Sequence, residues 1–248
     1  KLTSLLVPEE PTIHPRRVLI TGCLGQLGRT LQQTLAHHVR LGVDLPDCDI
    51  TDPAVVPFIE THAPDVIIHT AAYTNVDGAE ANPDLVFRIN MWGTHNLALA
   101  AQRTGAPLLY ISTNEVFDGT RANGAYYEWE AINPLSVYAR SKAAGEAVVR
   151  TLLQRFYIVR IAWLFAPGNN NFPRKIIEAA DKHGALRVVS DEFGNPTYAP
   201  DLAAKFLARV LPLSDTRLGP DLSYQTFSAR YARVLDFEMP TSAIIFCR

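Results

Sequence analysis

The chain has few of the features that mark secreted or membrane proteins. Its three cysteines, Cys23, Cys48 and Cys247, are odd in number and form no Cys-x-x-Cys pair, which argues against a disulfide framework or a cysteine metal site. No run of about 18 apolar residues occurs, so no membrane span is predicted. The apolar run Leu5–Val7 is too short for a signal peptide. These absences favour a cytoplasmic protein.

The chain also lacks an excess of charge of one sign. It has 23 Lys plus Arg against 25 Asp plus Glu, a formal net charge of -2. Such a balance gives no overall attraction to nucleic acid or to anionic membranes, and neither is an expected partner. With 48% hydrophobic residues in 248, the chain can bury a full core as one large domain or two small ones.

Prolines punctuate residues 1–16, which we interpret as an extended N-terminal tail. From Arg17 onward, short apolar runs alternate with helix-length segments. The strand candidates are Val18–Thr21, Val39–Val43, Val66–His69, Leu108–Ser112 and Tyr157–Ile161, and the helix candidates are Gln26–His37, Asp52–His62, Pro83–Thr104 and Leu135–Gln154. This alternation predicts an α/β fold, a doubly wound, Rossmann-like parallel sheet over residues 17–165.

The pattern loosens in residues 166–248, which predict a smaller C-terminal substrate lobe. Its candidates are the helices Phe172–His183 and Pro200–Val210 and the short strand Arg187–Ser190. One segment of this lobe could return to the Rossmann sheet. The last 35 residues are weakly patterned.

A glycine-rich turn follows the first predicted strand and opens the first predicted helix. Glycine lets the backbone approach a pyrophosphate closely, and a helix N-terminus offers free N–H groups to the anion. The alternative is ordinary turn chemistry. The residues expected at the cofactor are Gly22, Leu24, Gly25, Gln26, Leu27 and Gly28.

Asp44 ends the second predicted strand, 22 residues after Gly22. An acidic residue at this distance commonly binds the ribose hydroxyls of the cofactor. NAD(H) is therefore favoured, with NADP(H) as the alternative, since Arg29 or Arg40 could reach a 2′-phosphate. Asp44 could also be a loop carboxylate in water.

Tyr138 and Lys142 lie one helical turn apart in a predicted helix, so their side chains share a face. A lysine ammonium can stabilise a tyrosine phenolate, which suits the pair to proton transfer. Thr113 follows a predicted buried strand, at the sheet edge where open α/β folds bind ligands. The alternatives are an exposed helix pair and an ordinary turn hydroxyl.

Together these motifs resemble the extended short-chain dehydrogenase/reductases, and among them the dTDP-4-dehydrorhamnose reductase family. The resemblance runs from about Arg17 to about Leu207. The stretches that carry it are Thr21–Gly28, Thr70–Glu80, Ser112–Gly119, Tyr138–Glu146 and Asp191–Thr197, with Asp49–Asp52 and the Asn171-Phe172 pair.

The resemblance implies reduction of a keto group on a nucleotide sugar, with Thr113, Tyr138 and Lys142 as the catalytic residues. It also implies a nucleotide-sugar partner, and the sequence is compatible with a homodimer. The further cofactor-binding residues that it implies are Asp49, Ile50, Ala71, Ala72 and Tyr73, and the substrate-binding residues are Val76, Asn114, Glu115, Trp163 and Asn171. Trp163 could instead be a core aromatic and Asn171 a loop amide.

The chain departs from this family after Thr113 and at its C-terminal end. The reductases usually have Asp-Tyr where this chain has Asn114-Glu115, whereas the related 4,6-dehydratases have Asp-Glu. Glu115 therefore resembles a dehydratase base, but the Asn114 amide cannot serve as the matching acid. The alternatives are an epimerase or dehydratase and, because Leu211–Arg248 matches poorly, a non-catalytic dinucleotide-binding regulatory subunit.

Overall fold

The structure is a computed structural model, and it describes residues 15–121, 124–168, 171–184, 186 and 194–209. Residues 1–14 of the predicted tail, the predicted strand Arg187–Ser190 and the segment Leu211–Arg248 lie outside the described residues. Within the described residues, no helix is long and apolar enough to cross a membrane.

Five parallel strands form the central sheet, in the order β2-β1-β3-β4-β5. Their bounds are β1 Arg17–Thr21, β2 Val39–Val43, β3 Val66–His69, β4 Leu108–Thr113 and β5 Phe156–Ile161. All five predicted strands are present, and none differs from its predicted bounds by more than one residue at either end. The order places β1 and β3 side by side at the centre, so the predicted Rossmann-like fold is confirmed.

Helices cover both faces of this sheet. Their bounds are α1 Gln26–Thr34, α2 Val55–His62, α3 Val76–Ala81, α4 Pro83–Phe87, α5 Thr94–Thr104, α6 Val137–Leu152, α7 Phe172–His183 and α8 Ala199–Arg209. A π-helical turn, Arg88–Gly93, joins α4 to α5, and a 3-10 turn, Asn114–Val116, follows β4. Two further strands, β6 Leu164–Phe165 and β7 Thr197–Tyr198, pair in parallel as a separate small sheet.

Successive residues of each central strand face opposite sides of the sheet and enter two separate cores. On one side, Val18 and Ile20 pack with α1 and α8. On the other side, Leu19 packs with apolar residues of α2, α5 and α6. Strands β1, β3 and β4 are buried on both faces, as their continuous apolar runs predict, whereas the edge strand β2 is exposed at three of its five residues.

Helix α8 returns from the C-terminal part of the chain to the dinucleotide-binding part. Leu202 and Phe206 of α8 are buried in the same core cluster as Leu27 and Leu31 of α1. The returning segment is therefore a helix on one face of the sheet, and it contributes no strand to the described sheet.

Helix α1 ends at Thr34 and not at the predicted His37, and α6 is two residues shorter at each end than the predicted Leu135–Gln154. Two further differences from the predicted helices have local reasons. The Asp52 carboxylate accepts the Ala54 N–H at 2.8 Å, and this turn delays the start of α2 to Val55. The predicted helix Pro83–Thr104 is interrupted by the π-helical turn at Arg88–Gly93. Such turns are frequent at functional sites.

Candidate active site

A cleft of about 790 Å³ opens at the carboxyl ends of the five central strands. The position is the one at which open parallel sheets bind ligands. The predicted site residues that line it are Gly22, Gly25, Gln26, Leu27, Asp44, Asp49, Ile50, Ala71, Ala72, Tyr73, Val76, Thr113, Asn114, Glu115, Tyr138, Lys142 and Trp163. Leu24, Gly28 and Asn171 are the predicted residues that do not line it.

The glycine loop needs its glycines at two positions for steric reasons. Gly22 has a φ of 66°, and a Cβ there would lie 2.6 Å from the backbone nitrogen of Ala71. A Cβ on Gly28 would lie 2.1 Å from the Gly22 carbonyl oxygen. Gly28 therefore allows α1 to pack against the loop, while Gly25 is the N-cap of α1 and leaves the first N–H groups of that helix facing the cleft.

The Asp44 carboxylate is fixed against the glycine loop. One oxygen accepts the Leu24 N–H at 2.8 Å, and the other accepts the Leu45 N–H at 2.9 Å. Two cations near the loop are engaged elsewhere: Arg29 donates to the Leu24 carbonyl at 2.6 Å, and Arg40 donates to the Gln32 carbonyl. Asp44 is thus an oriented acceptor at the cleft wall.

Asn90, which the sequence reasoning missed, connects the loop after β3 to helix α6. Its side-chain oxygen accepts the Tyr73 N–H at 2.8 Å. Its amide nitrogen donates to the Tyr73 carbonyl at 3.2 Å and to Ser141 Oγ at 2.9 Å. The side chain is buried in the π-helical turn. The sequence pattern therefore could not distinguish this functional residue from an ordinary core position.

His69 lies beneath the cleft in a chain of hydrogen bonds that fixes its tautomer. Thr94 Oγ1 donates to the Asn90 carbonyl at 2.6 Å, so it must accept from His69 Nε2, 3.0 Å away. Nδ1 then accepts from Thr21 Oγ1 at 2.8 Å. Burial lowers the pKa of His69 well below its usual value, with Lys142 as a second cause. The imidazole is neutral.

Tyr138 sits in the first turn of α6, whose N-cap is Ser136. Burial raises the pKa of the Tyr138 phenol well above its usual value, and the charge of Glu115 raises it further, while a hydrogen bond with Thr113 lowers it. The phenol therefore keeps its proton at neutral pH and is available as a proton donor.

Lys142 lies one turn further along α6 and is 3% exposed. Its Nζ lies 4.2 Å from the centre of the Tyr110 ring, a cation–π contact. Burial lowers the pKa of Lys142 to about 7, against an opposing effect from Glu146. The charge of this lysine is therefore sensitive to its surroundings near neutral pH.

The Thr113 hydroxyl is held by the 3-10 turn that follows β4. Its oxygen accepts the Glu115 N–H at 3.2 Å, and it donates to the side-chain oxygen of Asn114 at 3.3 Å. The Glu115 carboxylate accepts from Ser136 Oγ at 3.4 Å. Thr113, Glu115 and Tyr138 thus meet where β4 ends and α6 begins.

Trp163 and Asn171 occupy different environments. Trp163 lines the cleft, is 52% exposed and has a φ of 45°, a backbone conformation that is uncommon outside glycine. The core alternative for Trp163 is therefore wrong. Asn171 is the N-cap of α7: its side chain accepts the Arg174 N–H at 3.2 Å and donates to the Ala166 carbonyl at 2.7 Å.

Arg88 is a cleft residue that the sequence reasoning missed. It lies at the start of the π-helical turn and lines the cleft, where Lys142 is the other basic residue among the described lining. No motif in the sequence distinguishes Arg88 from an ordinary surface arginine. Within the described ranges, no group of three His, Cys, Asp or Glu residues could hold a metal ion.

The family comparison matches most of this chain. A family model described as the RmlD substrate binding domain matches residues 16–219. The dTDP-4-dehydrorhamnose reductase of Aggregatibacter actinomycetemcomitans is 41% identical over 192 residues, which cover 76% of this chain and 65% of that protein. The match thus spans less than two thirds of the length of this curated relative.

Solved structures of the same kind of enzyme superpose on the described fold. The dTDP-4-dehydrorhamnose reductase of Bacillus anthracis, in complex with NADP, matches with a TM-score of 0.76 and 38% identity over 81% of this chain and 72% of that chain. The Clostridium acetobutylicum enzyme matches with a TM-score of 0.75 and 41% identity, over 78% of this chain and 70% of its own.

Proposed function

This chain belongs to the RmlD substrate binding domain family, and on that basis we propose that it reduces the 4-keto group of a nucleotide-linked 4-dehydro-6-deoxy sugar. The proposed substrate is dTDP-4-dehydrorhamnose and the proposed product is dTDP-rhamnose, with NAD(P)H as the reductant. The names of the relatives support this assignment.

The observation that carries the proposal is that residues suited to dinucleotide binding and residues suited to proton transfer line the same cleft. The glycine loop and Asp44 line one wall, and Thr113, Tyr138 and Lys142 line the other. A module that only binds a dinucleotide has no need of a protonated phenol, a buried lysine and a hydroxyl opposite the glycine loop. The regulatory-subunit alternative is therefore the weaker one.

The residues present fit a nicotinamide dinucleotide. Gly22 brings the loop backbone against the backbone of Ala71, and the N-terminus of α1 faces the same cleft. These groups would hold the pyrophosphate, and Asp44 would hold the adenosine ribose. When bound, the reduced cofactor would supply a hydride.

The remaining steps belong to side chains of this chain. Tyr138 would donate its proton to the oxygen that becomes the new hydroxyl group. Thr113 would turn its hydroxyl from Asn114 towards the same oxygen and stabilise its developing negative charge. The Lys142 ammonium would stabilise the Tyr138 phenolate that is left behind.

For the cofactor, we propose a preference for NADH that depends on Asp44. The Asp44 carboxylate is oriented by two backbone N–H groups, and its negative charge would repel a 2′-phosphate. We expect Asp44→Ala to reduce the preference for NADH over NADPH by about tenfold, since hydrogen bonds to a charged group contribute roughly 1.5–3 kcal/mol. An unchanged ratio of kcat/KM for the two cofactors would remove Asp44 from this role.

The experiment that tests the function supplies dTDP-4-dehydrorhamnose with NADH and, separately, with NADPH. We expect cofactor oxidation together with the appearance of dTDP-rhamnose, identified by nuclear magnetic resonance. Binding of both cofactors without turnover of this sugar would contradict the proposal and favour the regulatory alternative.

Glu115 favours a second candidate activity at the same cleft. A carboxylate that lies beside Tyr138 could remove a proton from a carbon next to the keto group, which would give epimerase character. Incubation of the keto sugar in deuterated water with oxidised cofactor tests this activity. Deuterium entering the sugar with the wild type, but not with Glu115→Gln, would support it, and its absence with both proteins would exclude it.

We also propose a cytoplasmic location and a division of the chain at about residue 165. Residues 17–165 would bind the dinucleotide, and residues 166–248 would form most of the sugar side. Trp163, at the junction, lines the cleft and is half exposed, which supports a sugar contact. Asn171 stays a predicted substrate residue whose amide is engaged at the start of α7.

A further inference from the structure

A buried ion pair lies directly behind the proposed catalytic residues. Arg160 of β5 donates through Nη2 to Glu146 Oε2 at 2.7 Å and through Nε to Glu146 Oε1 at 2.9 Å. The two side chains are 3% and 2% exposed. Ser112 Oγ donates to the same carboxylate at 2.6 Å. Glu146 therefore joins α6, β4 and β5 at one point.

The position of Glu146 links it to each proposed catalytic residue. It follows Lys142 by four residues on α6, so the two side chains lie on the same helical face. Its partner Ser112 directly precedes Thr113 on β4. A change at Glu146 would therefore alter the electrostatic environment of Lys142 and the position of the strand end that carries Thr113.

Stability alone is a poor explanation for this arrangement. Taking two charges out of water is costly, and well-packed apolar residues in place of a buried ion pair are often as stable or more stable. Besides Ser112, three nitrogens donate to the Glu146 carboxylate: Nε and Nη2 of Arg160, and Nη2 of Arg150, which lies 3.4 Å from Oε2. Burial alone would raise the pKa of Glu146, but the hydrogen bonds and charge of Arg160, together with Ser112 and Arg150, lower it below its usual value. The carboxylate therefore stays ionised.

The negative charge of Glu146 can stabilise the ammonium form of Lys142. The titratable groups around Lys142 include His69 from β3 and Tyr110 from β4, with Tyr138 and Glu146 on its own helix. Glu115, whose charge acts on Tyr138 from the turn after β4, lines the same cleft. The imidazole and the two phenols are uncharged at neutral pH. Glu146 is thus the anion on the face of α6 that carries Lys142, and its carboxylate is paired with the Arg160 guanidinium.

We propose that Glu146 is a positioning residue that keeps Lys142 in its ammonium form and aligns α6 with the end of β4. The link to catalysis rests on the proposed reductase function, while the effect on Lys142 does not depend on it. Burial alone would favour the neutral amine, and the charge of Glu146 opposes that effect. Arg160 orients the carboxylate and weakens its field at Lys142.

Two variants that break the same ion pair test this proposal by the sign of their effect. Glu146→Gln removes the anion and leaves Arg160, so the pKa of Lys142 should fall by about one pH unit. Arg160→Gln removes the cation and leaves Glu146, so the pKa of Lys142 should rise. A tether with a purely structural role would shift the pKa in the same direction in both variants, or in neither, and either result would overturn the proposal.

The measurement is a pH titration of lysine labelled with carbon-13 at Cε, followed by nuclear magnetic resonance without substrate. The chain has only five lysines, so Lys142 can be assigned by comparison with Lys142→Arg. Arg160→Lys is the matched control, since it keeps the charge but loses the two-point geometry, and it should leave the pKa of Lys142 close to that of the wild type.

A double variant keeps the proposal testable where a single variant does not fold. Glu146→Leu with Arg160→Met replaces both charges by apolar side chains of similar size and leaves no buried charge unpaired. Because Glu146 lies on the same helical face as Lys142, the pKa of Lys142 should still fall. An unchanged pKa in the folded double variant would overturn the proposal.

The same variants separate this inference from the proposed function. If Lys142 acts as an ammonium, the alkaline limb of the pH profile of kcat should move to lower pH in Glu146→Gln and to higher pH in Arg160→Gln, with a smaller change in KM. Opposite shifts of the Lys142 pKa in a protein without reductase activity would support the inference and reject the function. Reductase activity in variants whose Lys142 signal shows no shift in pKa would support the function and reject the inference.

Discussion

The wall of the cleft formed by the glycine loop differs from the wall formed by α6 in the location of its polar groups. The glycine-loop wall, residues 22–28 with Asp44, presents backbone N–H groups and a carboxylate near solvent. The α6 wall, Thr113, Tyr138 and Lys142 with their neighbours, places ionisable side chains in the interior. One wall is suited to binding an anion, and the other to moving a proton.

This difference predicts that substitutions in the two walls impair the protein in different ways. A change in the glycine-loop wall should act through steric fit and cofactor affinity. A change in the α6 wall should act through protonation and should leave cofactor affinity largely intact.

Tyr138→Phe should have the largest effect, on turnover alone. The variant removes the proton donor and little volume, so kcat should fall by about 10² or more. The dissociation constant of NADH should change little. Tyr127→Phe, which removes a hydroxyl from an exposed tyrosine outside the cleft lining, is the control, and full turnover in Tyr138→Phe would contradict the account.

Gly28→Ala should damage the glycine-loop wall instead. The added Cβ would lie 2.1 Å from the Gly22 carbonyl oxygen, so the loop or α1 must shift, at a cost of about 1–3 kcal/mol. We expect a lower free energy of unfolding in urea and weaker NADH binding. Gln33→Ala, on the exposed side of α1, should change neither quantity. Tight NADH binding by Gly28→Ala would break the comparison.

His69 should make stability depend on pH, because it is buried as a neutral imidazole. Its pKa in the folded state is lowered from 6.5, so the unfolded chain binds a proton first as the pH falls. The stabilisation is therefore complete above about pH 6.5 and is lost below it, by up to about 1.4 kcal/mol for each pH unit. Urea unfolding between about pH 7 and 5.5 should show a smaller slope for His69→Asn than for the wild type; equal slopes would contradict this origin.

Arg103→Ala should have the smallest effect and sets the baseline for exposed charges. Arg103 and Glu60 form an ion pair of 3.0 Å on the protein surface, with side chains 57% and 34% exposed. Exposed pairs contribute less than about 1 kcal/mol, so both stability and turnover should stay near the wild-type values. A loss of unfolding free energy as large as that of Gly28→Ala would show that burial does not explain why some substitutions are costly and others are not.

The sheet could be predicted from the sequence because its strands carry a simple signal. Runs such as Val66–His69 are apolar at every position but the last, which marks strands buried on both faces. The glycine loop and the Tyr138-Lys142 spacing were equally visible, because each depends on residues close together in the chain.

The supporting groups of the α6 wall could not be predicted, because they are distant in sequence. Glu146 and Arg160 meet only when β5 lies beside β4 and α6 packs over them. Asn90 acts through a π-helical turn, whose hydrogen bonding leaves no periodic trace. Local patterns indicate which residues carry chemistry, whereas their electrostatic surroundings follow from the tertiary fold.

The most direct test of the central claim follows the origin of the hydrogen that reaches the sugar. The protein is incubated with dTDP-4-dehydrorhamnose and nicotinamide cofactor that carries deuterium at its transferable position, and the product is examined by nuclear magnetic resonance. We expect one deuterium at C4 of the sugar and none at the neighbouring carbons. A sugar product without deuterium at C4 would contradict it.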